Sequence, residues 1–185
     1  MRLLAISGSL RAGSSNTALL QAARLVAPCD VEIVLYEGLG DLPAFNPDLD
    51  TVEGDPLPTI VRELRAQVGS ADGILICSPE YAHGIPGSLK NLLDWLVGSV
   101  ELPFKPVGLL KANAHSVHAQ AQLVEVLTTM NARIVEDASI TIALPSRDMG
   151  ADAIAGNSAL AASLRAVLDA VRLAADPGRS SPTHT

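Results

Sequence analysis

Apolar positions along the chain follow two patterns. Short runs at residues 3–6, 31–35, 74–77 and 105–110 are rich in Leu, Ile and Val and too short for helices of their own. Between them, apolar residues recur at helical spacing. Leu19, Ala23 and Val26 form one stripe, Ile60, Leu64, Ala66 and Val68 a rougher one, and Leu89, Leu92, Leu93 and Leu96 a third. Leu123, Val126, Leu127 and Met130 give a fourth, after a polar connection over residues 112–120. Leu160, Leu164, Val167 and Val171 give the last, in an Ala-rich helix expected over residues 155–174. A fifth strand is predicted from 134–135 and 140–142, bulged or broken at 136–138. Pro58 and Pro86 suit the openings of the second and third helices.

Strands alternating with helices, each strand apolar on both sides, predict an α/β fold with an open parallel sheet covered on both faces. Ligands bind such sheets outside the carboxyl ends of the strands, where strand order reverses. The loops after strands 1, 3 and 4 are therefore the ones that matter, and they hold most of the unusual residues. Residues 38–50 carry prolines, glycines and acids that argue against regular structure, yet Leu42 and Phe45 are apolar. A loop of that length in a compact domain tends to be functional or to form an interface. One domain over residues 1–175 is expected, followed by a tail at 176–185 with nothing to bury and expected to be disordered.

Composition narrows the classes. The chain of 185 residues is 48% hydrophobic but 3% aromatic, so its core is aliphatic. A net charge of −7 leaves no basic stripe for a nucleic-acid backbone. The N-terminus has no signal-peptide pattern and no run reaches membrane-span length, which predicts a soluble, cytoplasmic protein. Cys29 and Cys77 are far apart and form no C-x-x-C, and Cys77 reads as a small core residue. His115 and His118 are three apart with no third ligand beside them, so no metal site is expected.

The first loop, GSLRAGSSN at residues 8–16, leaves a buried strand and enters a helix. That geometry suits a phosphate, which would meet backbone N–H groups and the positive end of the helix dipole. Ser9, Ser14, Ser15 and Asn16 offer further donors, and Arg11 a permanent forked charge. The competing reading is a polar turn whose Ser and Asn only cap the helix. Gly8 and Gly13 have the spacing of the first glycines of a P-loop, but Ser14 and Ser15 follow where Lys then Ser or Thr is required. No G-x-G-x-x-G occurs either. The loop after strand 3 supplies Pro79, Glu80, Tyr81 and Gly84. Glu80 has a rival reading as a solvent-facing or helix-capping acid, and Tyr81 as a packing residue.

Three segments together, residues 8–16, LPAFNPDL at 42–49 and SPEYAHGIPGSLKNLLDW at 78–95, make the chain resemble the NADPH-dependent FMN reductase family over roughly residues 2–143. The resemblance implies a flavodoxin-like three-layer sandwich whose five-stranded parallel sheet has the order 2-1-3-4-5. It implies FMN as cofactor and NADPH or NADH as co-substrate, with hydride passing to the flavin and on to a small-molecule acceptor. No protein nucleophile is needed, so no catalytic side chain is assigned. The phosphate would be held by Ser9, Arg11, Ser14, Ser15 and Asn16, and the ring edge by Pro79, Glu80, Tyr81 and Gly84. Many relatives carry a glycine-rich segment after strand 4, whereas this chain reads KANAHSVHAQAQ over 111–122, in which Asn113, His115 and Ser116 could reach the ring. Arg147, after strand 5, is a candidate for the 2′-phosphate of NADPH. In relatives the helix after Pro86 and the 42–49 loop help form a dimer, so a homodimer or dimer of dimers is expected. Two rival functions are an electron carrier without nicotinamide activity, against which Arg11 argues, and a flavin-free binding module.

Overall fold

The computed structural model describes residues 1–50, 57–113 and 117–176. Five strands, β1 (Arg2–Ser7), β2 (Glu32–Leu35), β3 (Gly73–Cys77), β4 (Pro106–Leu110) and β5 (Arg133–Ile134), form one parallel sheet in the order β2-β1-β3-β4-β5. Among the described residues six helices accompany them: α1 (Ser15–Val26), α2 (Thr59–Ser70), α3 (Gly87–Val97), α4 (Val117–Thr129), α5 (Ala151–Gly156) and α6 (Ser158–Ala175).

The period-2 alternation of a strand divides the core between two faces. Leu4 and Ile6 of β1, Ile74 and Ile76 of β3, and Val107 and Leu109 of β4 pack with α2, α3 and α4. Leu3, Ala5, Leu75, Cys77 and Leu110 point the other way, against α1, α5 and α6. Both faces are dry, which is why β1, β3 and β4 carry unbroken apolar runs.

The predicted stripes of α1 and α3 are buried as expected, and Trp95 joins the latter at 0% exposure. Three readings change. On α2 the inward residues are Val61, Leu64 and Val68, while Ala66 is exposed and Ile60 partly buried. α4 begins at Val117, inside the stretch read as a connection. The last helix is two, broken at Asn157, whose side chain caps α6 by accepting from the Ala159 and Leu160 amides at 3.1 and 3.2 Å. The fifth strand is interrupted as expected, by a 3-10 turn over Glu136–Ala138, and Thr141 then pairs with Lys111.

The 38–50 segment is held by α3 of the same chain and contains two 3-10 turns, Gly38–Gly40 and Pro47–Leu49. The Trp95 indole N–H donates to the Pro43 carbonyl at 2.8 Å, and Phe45 sits edge-on to Trp95 at 5.0 Å. Asn91 donates to Pro43 O and accepts from Phe45 N. Arg65 crosses beneath, pairing with Asp50 at 2.8 Å and donating to Trp95 O. Leu42 and Phe45 thus owe their apolar character to packing within the chain. Lys90 and Asp94 pair along α3, as their spacing predicts. The tail at 177–185 lies outside the described residues.

Candidate functional site

Because β1 lies between β2 and β3, the chain leaves β1 toward one face and β3 toward the other, and a crevice opens above their carboxyl ends. The two departing loops start in contact. Gly8 N donates to Cys77 O at 2.9 Å, extending the ladder by one residue. A Cβ on Gly8 would lie 2.5 Å from Ser78 Oγ and 2.9 Å from Ser78 Cβ, so only glycine fits there.

The first loop then folds on its own side chains. Ser9 Oγ accepts from the Arg11 amide at 3.3 Å, and Ser7 Oγ lies 2.8 Å from Thr17 Oγ1. Ser14 is the N-cap of α1, its hydroxyl accepting from the Asn16 and Thr17 amides at 3.2 and 3.5 Å. The capping reading and the binding reading are therefore compatible. Asn16 is buried, with Oδ1 accepting from the Cys77 thiol at 3.2 Å. The donor end of its amide is the end left for a ligand. Burial pushes the Cys77 thiol up to about 12, which keeps it a neutral donor.

The second loop is a tight turn. Tyr81 and Gly84 exchange backbone hydrogen bonds of 3.0 and 2.9 Å, with Ala82 and His83 between them at φ of 49° and 61°. Positive φ at both central positions is the primed hairpin geometry, unusual without glycine or asparagine. Three contacts with α4 hold it there. Glu80 Oε2 accepts from the Ala119 amide in the first turn of α4 at 2.9 Å. Gln122 Oε1 accepts from the Ile85 amide at 2.8 Å. The His83 ring stacks on His118, centroids 4.3 Å apart. The Ala119 amide holds the Glu80 carboxyl below the ordinary carboxylate range; partial desolvation opposes this, and the His118 amide and the two imidazoles reinforce it. Glu80 is thus a helix-capping acid from a distant loop.

The crevice is a cavity of about 550 Å³, within the range of small-molecule sites. Ser9, Arg11, Ser14, Ser15 and Asn16 line one end. Pro79, Glu80, Tyr81 and Asn113 line it from the loops after β3 and β4. Tyr81 is 57% exposed, which removes its packing reading. Gly84 closes its turn without lining the cavity. His115 and Ser116 lie outside the described residues. The β5 side adds Ala143, Leu144 and Arg147. Of these, sequence reasoning singled out only Arg147, since nothing in an alanine followed by a leucine marks a wall. Among the described residues no cluster of His, Cys, Asp and Glu could hold a metal, and His118 partners His83. No helix among them is long and apolar enough to cross a membrane.

The donor set fits a flavin phosphate: hydroxyls, an amide and one guanidinium gathered at the start of a helix, beside a slot walled by Pro79 and Tyr81. Comparison with known proteins agrees. Residues 1–144 match the profile of the NADPH-dependent FMN reductase family. The chain is 31% identical over 141 residues to a quinone reductase of Escherichia coli (strain K12), covering 73% of each protein. It is 38% identical over 116 residues to an NAD(P)H-dependent FMN reductase of Pseudomonas aeruginosa, covering 62% of this chain and 60% of that one. In structure it is similar to FerB, a flavoenzyme NAD(P)H:acceptor oxidoreductase from Paracoccus denitrificans, with a TM-score of 0.69 at 24% identity over 92% of this chain and 97% of that one. The flavodoxin-like strand order, the loop chemistry and a match over most of the chain converge: the protein belongs to the NADPH-dependent FMN reductase family.

Proposed function

We propose that residues 1–175 form a single FMN-binding domain that oxidises NAD(P)H and reduces a small acceptor such as a quinone, free flavin or azo compound. The observation that carries this reading is the joining of a phosphate-type donor set and a ring-sized slot in one cavity, at the switch point of the sheet. When bound, FMN supplies the redox chemistry between NAD(P)H and the acceptor.

The chain's own residues bind and orient. Arg11 offers a forked, charge-assisted donor to the phosphate, and Ser9, Ser14, Ser15 and Asn16 complete its shell. The start of α1 adds the favourable end of its dipole. Pro79, Glu80 and Tyr81 border the ring slot on one side and Asn113 on another. Glu80, Gln122 and the His83–His118 stack keep the turn rigid against α4, so the slot is preformed. Gly84, by closing that turn, supports the slot without touching the ligand.

We further infer a cytoplasmic homodimer or dimer of dimers. Val97, Val100 and Phe104, exposed by 63, 87 and 80%, lie on and after α3 and support an unfilled interface. The activity is tested by loading the purified protein with FMN and adding NADPH or NADH without oxygen. The flavin absorbance should bleach within the turnover time, and a quinone should restore it. A protein that binds FMN yet stays oxidised through minutes of excess NADPH and NADH would contradict the reductase reading.

A further inference from the structure

Cys77 ends β3 at the switch point of the sheet, paired with Ser7 of β1 on one side and Leu110 of β4 on the other. It holds the 8–16 loop at both ends. Its carbonyl accepts from Gly8 N at 2.9 Å, and its thiol donates to Asn16 Oδ1 at 3.2 Å. Packing against α1, α5 and α6 needs only a small apolar group at this level, such as Ala5 supplies on β1. The thiol adds a proton, and that proton is aimed at the start of α1.

A carboxamide has a donor end and an acceptor end of nearly the same shape. Beside an anion the two ends are opposites: Nδ2 attracts it and Oδ1 repels it. Asn16 is 8% exposed, so bulk water does little to choose between the two orientations. The thiol does choose. Its sulfur takes a backbone hydrogen bond from Ala112, which engages its accepting side and leaves the S–H as the donor toward Asn16. Burial keeps that thiol protonated. Oδ1 is thereby committed to β3. Nδ2 has no partner among the described residues, and Asn16 is a wall of the cavity, so the donor end is the one a ligand meets. Ala112 borders the same cavity, so one sulfur joins walls that come from the loops after β1 and β4.

We propose that Cys77 is a positioning residue of the anion site: its thiol, backed by the Ala112 amide, holds the Asn16 carboxamide with Nδ2 toward the cavity and so strengthens the preference for a flavin that carries a phosphate. The proposal rests on the FMN reading above. Cys77 touches neither the flavin nor its phosphate and acts through Asn16 alone. Without the thiol proton, Oδ1 is a buried acceptor with no partner, and the amide must be turned by the ligand at the moment of binding.

The test measures the ratio of FMN to riboflavin affinity by fluorescence titration of flavin-free protein, in wild type, Cys77→Ser, Cys77→Val and Cys77→Ala, and again with each combined with Asn16→Ala. Serine keeps the donor, and valine keeps an apolar side chain without it. Cys77→Ser should stay within about twofold of the wild-type ratio, while Cys77→Val and Cys77→Ala should lower it roughly threefold to tenfold, the range of one neutral hydrogen bond, with riboflavin affinity unchanged. In the Asn16→Ala background none of the three should move the ratio further. Simple packing would behave differently: it would lower both affinities together and favour valine over serine. The proposal is overturned if Cys77→Val keeps the wild-type ratio, if Cys77→Ser loses as much as Cys77→Val, or if the fall persists without Asn16. The valine and serine variants decide the matter even where Cys77→Ala fails to fold. A wild type with no preference for FMN over riboflavin would be a separate result, removing the phosphate reading of the loop and this assignment with it.

Discussion

Gly8→Ala tests the junction on which the site is built. The φ of Gly8 lies outside the left-handed region, so alanine could adopt the backbone, and the difficulty is space alone. The added methyl would lie 2.5 Å from Ser78 Oγ, 2.9 Å from Ser78 Cβ and 3.1 Å from Leu89 Cδ2. Leu89 can yield at its tip. Ser78 cannot yield cheaply, because its Cβ is fixed to the backbone at the end of β3 and its hydroxyl donates to Pro79 O at 3.1 Å. Overpacking of this kind costs about 1–3 kcal/mol. Ser78→Gly removes both clashing atoms at a cost of about 0.5–1 kcal/mol for the extra backbone freedom, plus the hydroxyl's bond. The double variant should then be more stable than the sum of the singles by about 1–2 kcal/mol, a normal coupling for residues in contact. Urea denaturation of the four proteins, with m-values checked for constancy, measures this directly. Additivity within about 0.5 kcal/mol, or a Gly8→Ala protein as stable as wild type, would refute the close approach of the two loops.

Two further predictions concern the same region. Glu80 has a folded pKa below its ordinary value, so its stabilisation is present above the ordinary carboxylate pKa and is lost as pH falls through the lowered one. The Tm gap between wild type and Glu80→Ala should be full at neutral pH and close only below about pH 4, with faster exchange of the Ala119 amide in the variant; a gap unchanged in acid would contradict the cap. Cys77, pushed up to about 12 by burial, should resist a thiol reagent at pH 8 until the protein unfolds, whereas exposed Cys29 reacts at once. Equal rates would show that the end of β3 is open to solvent.

Much of the fold is legible because the strands are buried on both faces, leaving continuous apolar runs that no amphipathic helix would carry. The α1 and α3 stripes are readable for the complementary reason: one side of each is wet. What escapes depends on partners distant in sequence. The start of α4 is hidden because residues 117–122 lack an apolar stripe and the first-turn amide of Ala119 is satisfied by Glu80, 39 residues away. The break between α5 and α6 did leave a signal, Asn157 followed by Ser158, but the Ala-rich periodicity runs across it. In the 9–16 loop Ser14 caps α1, and the same serine and asparagine chemistry suits a ligand, so composition alone could not separate the two readings. Glu80 shows the opposite case, where motif position suggests a ligand contact and the geometry makes it a clamp that shapes the slot.

The central claim is that the loop from Ser9 to Asn16 grips an anionic flavin tail, and the most direct measurement compares FMN with riboflavin, which differ only in that tail. Equilibrium titration of flavin-free protein should give FMN an advantage of at least about 3 kcal/mol, from two or more charged hydrogen bonds of roughly 1.5–3 kcal/mol each. Arg11→Ala should remove about 1.5–3 kcal/mol of that advantage while leaving riboflavin affinity unchanged. Riboflavin binding wild type as tightly as FMN, or an Arg11→Ala protein with unaltered FMN affinity, would contradict the account at its foundation.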